Sequence, residues 1–259
     1  MLILLTNDDG IHSAGLKALA GQLQSLGRVV VVAPDRERSA VGHALTLHEP
    51  LRAEEIAEDR WAVSGTPTDA VSLAICSLLK DKPDLVISGI NKGGNMGDAL
   101  TYSGTVAAAM EATLMGVPAI AISLASRNFS YDDFKPAAAV ARQMAETVLE
   151  HGLPADTFIN VNVPDSAPQG IRLTRQGKRV YEDAVVQNRD PRGRTYYWIG
   201  AGELGFQDLD GTDFHAVQKG YVSVTPLHLD LTNYAAMERL RQWRLEETLL
   251  TAVKTGDDS

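Results

Sequence analysis

What most constrains this chain is the regular exchange of two hydrophobic periods along its first two thirds. Leu2 to Leu5 is a short continuous apolar run of the kind that forms a buried strand, and Leu16, Leu19, Leu23 and Leu26 then recur at the three- and four-residue spacing of one helical face. The exchange repeats: strand at Val29 to Ala33, helix at Asp69 to Leu79 behind Thr66-Pro67-Thr68, strand at Asp84 to Ile90, helix at Thr105 to Met115, strand at Pro118 to Leu124, helix at Ala137 to Leu149, strand at Phe158 to Val163. Strands alternating with helices predict a Rossmann-like three-layer α/β/α fold with a mainly parallel sheet and right-handed crossovers.

From about Gly170 the texture becomes Arg, Gly, Tyr and Trp with period-two alternation, broken by the turn signal Asp190-Pro191-Arg192-Gly193. This predicts a β-hairpin arm. Its Thr195-Tyr196-Tyr197-Trp198-Ile199 is too bulky for a small hairpin to bury by itself, so it should pack on the main domain or on another subunit. Tyr221 to Val224 reads as a further strand, and Met237, Leu240, Trp243, Leu249 and Val253 fall on one face of a terminal helix. With 259 residues, a single α/β domain over 1–259 is expected, its core at about 1–170 and a C-terminal extension at about 171–259.

Composition excludes several classes. A net charge of -9 argues against a broad basic face for long nucleic acid, although one small anion needs only local positive potential. No apolar run reaches the ~18 residues of a membrane span, and no signal peptide is read at the start. The single cysteine, Cys76, forms no internal disulfide and is expected as a small buried helix residue, so a cytoplasmic setting follows.

In parallel sheets ligands bind beyond the carboxyl ends of the strands. Three of those ends are polar here: Asn7-Asp8-Asp9-Gly10, Pro34-Asp35-Arg36-Glu37-Arg38-Ser39, and Ser88-Gly89-Ile90-Asn91-Lys92-Gly93-Gly94-Asn95. Adjacent carboxylates at Asp8 and Asp9 repel each other unless a cation or hydrogen-bond donors offset the charge, and either could instead cap the next helix or shape a turn. Together with Ser39 and Asn91 they make an all-oxygen donor set suited to magnesium or manganese rather than zinc. The glycines around Gly93 and Gly94, and the helix start at Ser103-Gly104-Thr105, can present backbone amides to a phosphate. No Walker loop is present. Of six histidines, only His12 and His43 lie close in sequence to the candidate site; Arg36, Arg38 and Lys92 are secondary phosphate candidates.

These blocks resemble the survival protein SurE family of metal-dependent nucleotidases and acid phosphatases. The likeness rests on Leu4-Leu5-Thr6-Asn7-Asp8-Asp9-Gly10, Ala33-Pro34-Asp35-Arg36-Glu37-Arg38-Ser39, Gly65-Thr66-Pro67-Thr68-Asp69, Ser88-Gly89-Ile90-Asn91, Tyr102-Ser103-Gly104-Thr105-Val106, Gly211-Thr212-Asp213, and Gly220 through Leu227. The resemblance implies hydrolysis of nucleoside 5'- and 3'-monophosphates with one divalent ion, Mg2+ or Mn2+, on Asp8, Asp9, Ser39 and Asn91. It also implies phosphate contacts at Gly93, Gly94, Asn95, Ser103, Gly104 and Thr105, and a homodimer or homotetramer that exchanges C-terminal elements. Lys92-Gly93-Gly94-Asn95-Met96 departs from the small residue and proline carried by many relatives. Asp8 and Asp9 are the expected catalytic residues, acting through metal-activated water. Two alternatives use the same features: a non-catalytic nucleotide-binding or sensing module, and an assembly protein working through its aromatic hairpin.

Overall fold

The computed structural model describes residues 1–181, 185–199 and 204–245. Its central element is a nine-stranded sheet built as the hydrophobic alternation predicts. The apolar run at the start becomes β1 (Leu2–Thr6), and α1 (Ala14–Leu23) follows with Ser13 as its cap and Leu16, Leu19 and Leu23 buried. Next come β2 (Arg28–Pro34), a short antiparallel pair β3 (Ala53–Ala57) and β4 (Arg60–Val63), and α2 (Pro67–Leu73). A reciprocal pair of bonds between Thr66 and Asp69 starts α2, the capping box that the Thr-Pro-Thr-Asp run encodes.

The chain continues through β5 (Leu85–Lys92), a 3₁₀ turn at Gly97–Tyr102, α3 (Gly104–Leu114), β6 (Ala119–Ala125), α4 (Lys135–His151) and β7 (Thr157–Pro164). After β7 lie β8 (Ile171–Leu173), β9 (Arg179–Tyr181), β10 (Val185–Arg189), β11 (Thr195–Ile199), β12 (Leu204–Phe206), α5 (Asp213–Gln218) and β13 (Val222–His228). Sheet order is β3-β4-β2-β1-β5-β6-β7-β13-β8, with parallel pairing from β4 through β7. Two segments of the C-terminal extension, β13 and β8, thus complete the main sheet.

Alternate residues of a strand face opposite layers. Ile3 and Leu5 of β1 join a core with Leu16 and Leu19 of α1 and Ala137 and Ala141 of α4, whereas the intervening Leu4 is buried on the other face. The pairs α1–α4 and α2–α3 pack as the two outer layers. Because β2 lies on one side of β1 and β5 on the other, strand order reverses at β1. The carboxyl ends of β1 and β5 are neighbours there, with Thr6 opposite Ser88.

One expectation changes. Cys76 is exposed rather than buried: α2 gives way at Ala74–Leu78 to a π-helical turn, whose extra residue rotates the following side chains off the buried stripe. The hairpin β10–β11 does form, in register from Val185 opposite Ile199 to Arg189 opposite Thr195, but its aromatics are not buried within this chain. Tyr197 and Trp198 are 61% and 62% exposed.

The chain divides into compact units at Met1–Leu227 and His228–Ser259. In the second unit, α6 (Tyr234–Arg241) starts at Asn233, whose Oδ1 accepts the Ala236 N–H at 3.0 Å. Met237, Leu240 and Trp243 of the predicted face are exposed; Leu249 and Val253 lie outside the described residues.

Candidate active site

The ends of β1 and β5, the loop after β2 and the segment before α3 enclose a cavity of about 300 Å3. Asp8, Asp9, Ser39 and Asn91 all line it, as do Gly93, Gly94, Asn95 and Ser103. Four separate stretches of sequence therefore meet where the sheet topology places a ligand crevice. A larger cavity, about 610 Å3, lies along Arg172, His215, Lys219 and Tyr221, and none of the predicted site residues borders it. Donor chemistry, not volume, marks the site.

Asp8 is 6% exposed and sits against the start of α3. Its Oδ1 accepts the Thr105 hydroxyl at 2.5 Å, and its backbone carbonyl accepts the Arg38 N–H at 2.7 Å. Gly104 permits this approach: a Cβ there would stand 2.8 Å from the Asp8 Cβ and 3.1 Å from its Oδ2. Burial pushes the Asp8 carboxyl up to about 6; the Thr105 hydroxyl opposes that and the charge of Asp9 adds to it.

Asp9 is raised as well, again by burial first, with Lys92 acting against it and Glu37 with it. The Lys92 ammonium lies 3.6 Å from Asp9 Oδ1, and the Lys92 backbone N–H donates to Oδ2 at 3.2 Å. Ser39 donates its hydroxyl to Glu37 at 2.7 Å, which leaves the oxygen lone pairs as acceptors. Asn91 donates Nδ2 to the carbonyls of Gly93, at 2.8 Å, and Lys92, at 3.3 Å, so Oδ1 is the group left over. The backbone that carries Asn91 is tight. At Gly89 the φ angle is +139°, and an added Cβ would fall 2.3 Å from the Ile122 carbonyl oxygen.

This set fits a hard divalent cation. Two carboxylates, the buried Asp8 and the half-buried Asp9, share the cavity wall with a hydroxyl and an amide oxygen, and the groups bonded to Asp8 are neutral. Among the described residues no group of three or more His, Cys, Asp or Glu could hold a metal.

Not every expected contact faces the cavity. Gly104 and Thr105 are buried behind Asp8, and the amides and hydroxyl that start α3 serve that carboxylate rather than open space. Ser103 borders the cavity while its Oγ accepts the Val106 N–H at 3.1 Å as the helix cap. His43 pairs with Glu111 at 2.8 Å, Arg38 donates to the Ser64 carbonyl at 2.5 Å, and neither they nor His12 nor Arg36 line the cavity. Lys92, Glu37, Ala40, Ala99 and Tyr102 complete the wall. Tyr102 is an exposed aromatic next to a predicted site residue, a signal that adjacency in sequence could have supplied.

The chain is similar to known proteins over most of its length. A family model described as "Survival protein SurE" matches residues 3–183. A protein named "5'-nucleotidase SurE" from Syntrophotalea carbinolica is 61% identical over 245 residues, covering 95% of this chain and 98% of that protein. One of the same name from Geobacter sulfurreducens is 60% identical over 248 residues, covering 95% and 94%. The crystal structure of the SurE protein from Aquifex aeolicus matches with a TM-score of 0.84 at 48% identity, covering 94% of this chain and 100% of that one.

Proposed function

The chain belongs to the survival protein SurE family, and on that premise we propose that it is a metal-dependent phosphomonoesterase that hydrolyses nucleoside 5'- and 3'-monophosphates to nucleoside and phosphate. The observation that carries the reading at the level of the site is the meeting of Asp8, Asp9, Ser39 and Asn91 on one cavity wall. These four hold one divalent ion, magnesium or manganese. When bound, that ion supplies Lewis acidity toward a phosphoryl oxygen and toward water.

The chain's own groups do the rest. Thr105 and the start of α3 hold Asp8 in place from behind. Asp9, the less buried of the pair, accepts the proton of the attacking water, with Lys92 beside it offsetting charge. The Gly93 and Asn95 amides are taken by the Leu124 carbonyl and by Asn162 Oδ1, so the Gly94 amide and the Lys92 ammonium are the donors offered to the charge that builds on the transferred phosphoryl group. Tyr102, 63% exposed on the cavity wall, offers a ring face for the nucleobase.

The exposed aromatics of β10–β11, and Leu173 standing 78% exposed on the edge strand β8, support a homodimer or homotetramer assembled through C-terminal elements. No helix of the described residues is long and apolar enough to cross a membrane. The test of function is phosphate release from a panel of nucleoside monophosphates by protein stripped with EDTA and then resupplied with Mg2+ or Mn2+. Release that appears only with metal supports the reading; metal-independent release, or none with any metal from folded protein, rejects it.

A further inference from the structure

Asn160 and Asn162 lie two residues apart on β7, so both side chains leave the same face of a strand buried along almost its whole length. Both reach across to the glycine loop. Asn162 Oδ1 accepts the Asn95 backbone N–H at 2.8 Å, and Asn162 Nδ2 donates to the Asn95 carbonyl at 2.9 Å. Asn160 Nδ2 donates to that same carbonyl at 2.8 Å. From the adjacent strand β6, Ser123 Oγ accepts the Asn95 side-chain amide at 2.9 Å. The loop residue is thus tied at its N–H, its carbonyl and its side chain. An added Cβ at Gly94 would come within 3.3 Å of Asn162 Oδ1, so the preceding residue rests on the same support.

The arrangement is not one that stability alone selects. Asn160 Oδ1 is buried with no hydrogen-bond partner, a cost that an apolar residue of similar size would remove. Neither Asn160, Asn162 nor Ser123 lines the cavity.

We propose that Asn160, Asn162 and Ser123 are positioning residues that fix the Gly93–Asn95 backbone in the arrangement that grips phosphate, and so set phosphate affinity without touching substrate or metal. This rests on the functional reading above, in which that loop faces the phosphoryl group. Asn162 supplies a donor and an acceptor to one residue, as a neighbouring strand would, and Asn160 adds a second donor to the same carbonyl.

The test compares full-length wild type with Asn162→Leu and Asn160→Leu, each with Mn2+. Five quantities are read: KM and kcat for a nucleoside monophosphate, the inhibition constant of inorganic phosphate, Mn2+ affinity by calorimetry, and thermal unfolding. Asn162→Leu should weaken phosphate inhibition and raise KM by roughly tenfold, because a small displacement of binding groups is amplified in affinity. Mn2+ affinity should stay within about twofold, since Asp8, Asp9 and Ser39 sit on other segments and Asn91 is carried by strand β5, with its side chain bonded to the Lys92 and Gly93 carbonyls rather than to Asn95. Asn160→Leu should raise both constants by about threefold while its Tm stays equal to or above wild type, which keeps the test valid even if Asn162→Leu does not fold. Unchanged phosphate constants in the folded variants would overturn the proposal, as would parallel loss of phosphate and Mn2+ affinity, which marks general collapse of the site. A wild type that neither binds phosphate nor turns over overturns the functional reading itself, before any variant is compared.

Discussion

The Thr105 hydroxyl donates to Asp8 Oδ1 at 2.5 Å, joining the first turn of α3 to the end of β1 beneath the cavity. A neutral, fully buried side chain thereby fixes a carboxylate that burial would otherwise drive toward its protonated form. Thr105→Val keeps the shape and removes the donor. We expect phosphate release to fall by at least about tenfold and stability by about 1 to 3 kcal/mol, measured by urea unfolding beside steady-state kinetics.

Gly104 supplies the space that Asp8 occupies. In Gly104→Ala the new Cβ would lie 2.8 Å from the Asp8 Cβ, so the carboxylate or the helix start must shift. Alanine also favours the helix by up to about 1 kcal/mol. The expected outcome is a Tm within a few degrees of wild type and kcat/KM reduced by at least roughly tenfold.

A pair away from the site gives a pH test. Glu111 accepts from His43 at 2.8 Å and from the Ser72 hydroxyl at 2.6 Å, and the His43 bond is the main cause that lowers its carboxyl below the usual glutamate value, against the opposing effect of burial. A lowered carboxylate stabilises the fold above its unfolded pKa, and the contribution is lost as pH falls through the folded one. Wild type should therefore exceed Glu111→Gln by about 0.5 to 1 kcal/mol near pH 6, after allowing for solvent screening, with the gap closing below about pH 4. Urea unfolding across that range measures it. A gap that widens toward low pH would contradict the assignment.

The hairpin predicts assembly. Trp198 and Tyr197 expose large apolar surface on β11, so Trp198→Ser should weaken self-association by roughly tenfold or more in sedimentation velocity. Monomer-level contacts of Asp8 and Asp9 are untouched by that change.

Much of the fold was legible because β1 and β2 are almost wholly apolar, β5, β6 and β7 each carry several strongly apolar residues, and α1 and α4 show apolar residues at helical spacing. The pair β3–β4 escaped notice: Glu54 and Glu55 sit exposed on an edge strand, where no hydrophobic run is required. At the site, Asp8, Asp9, Ser39 and Asn91 were readable as short polar residues just past buried strands. Gly104 and Thr105 were read as phosphate contacts because a helix start offers free amides, but whether substrate or the protein's own carboxylate takes them depends on packing across 97 positions of sequence. Asn160 and Asn162 were missed inside an apparent core strand. Their signal was present: two amides in alternation within Ile159-Asn160-Val161-Asn162-Val163 place polar groups on one buried face, and each must find a partner.

The most direct test of the central claim is turnover by Asp8→Asn, assayed as phosphate release from a nucleoside monophosphate at saturating Mn2+ with folding verified by thermal unfolding. Asparagine keeps the size of the side chain and a hydrogen-bond acceptor for Thr105 while removing the charge. The account predicts a folded protein, Tm equal to or above wild type, and turnover reduced by at least about a thousandfold. A folded Asp8→Asn variant with turnover within tenfold of wild type would contradict it.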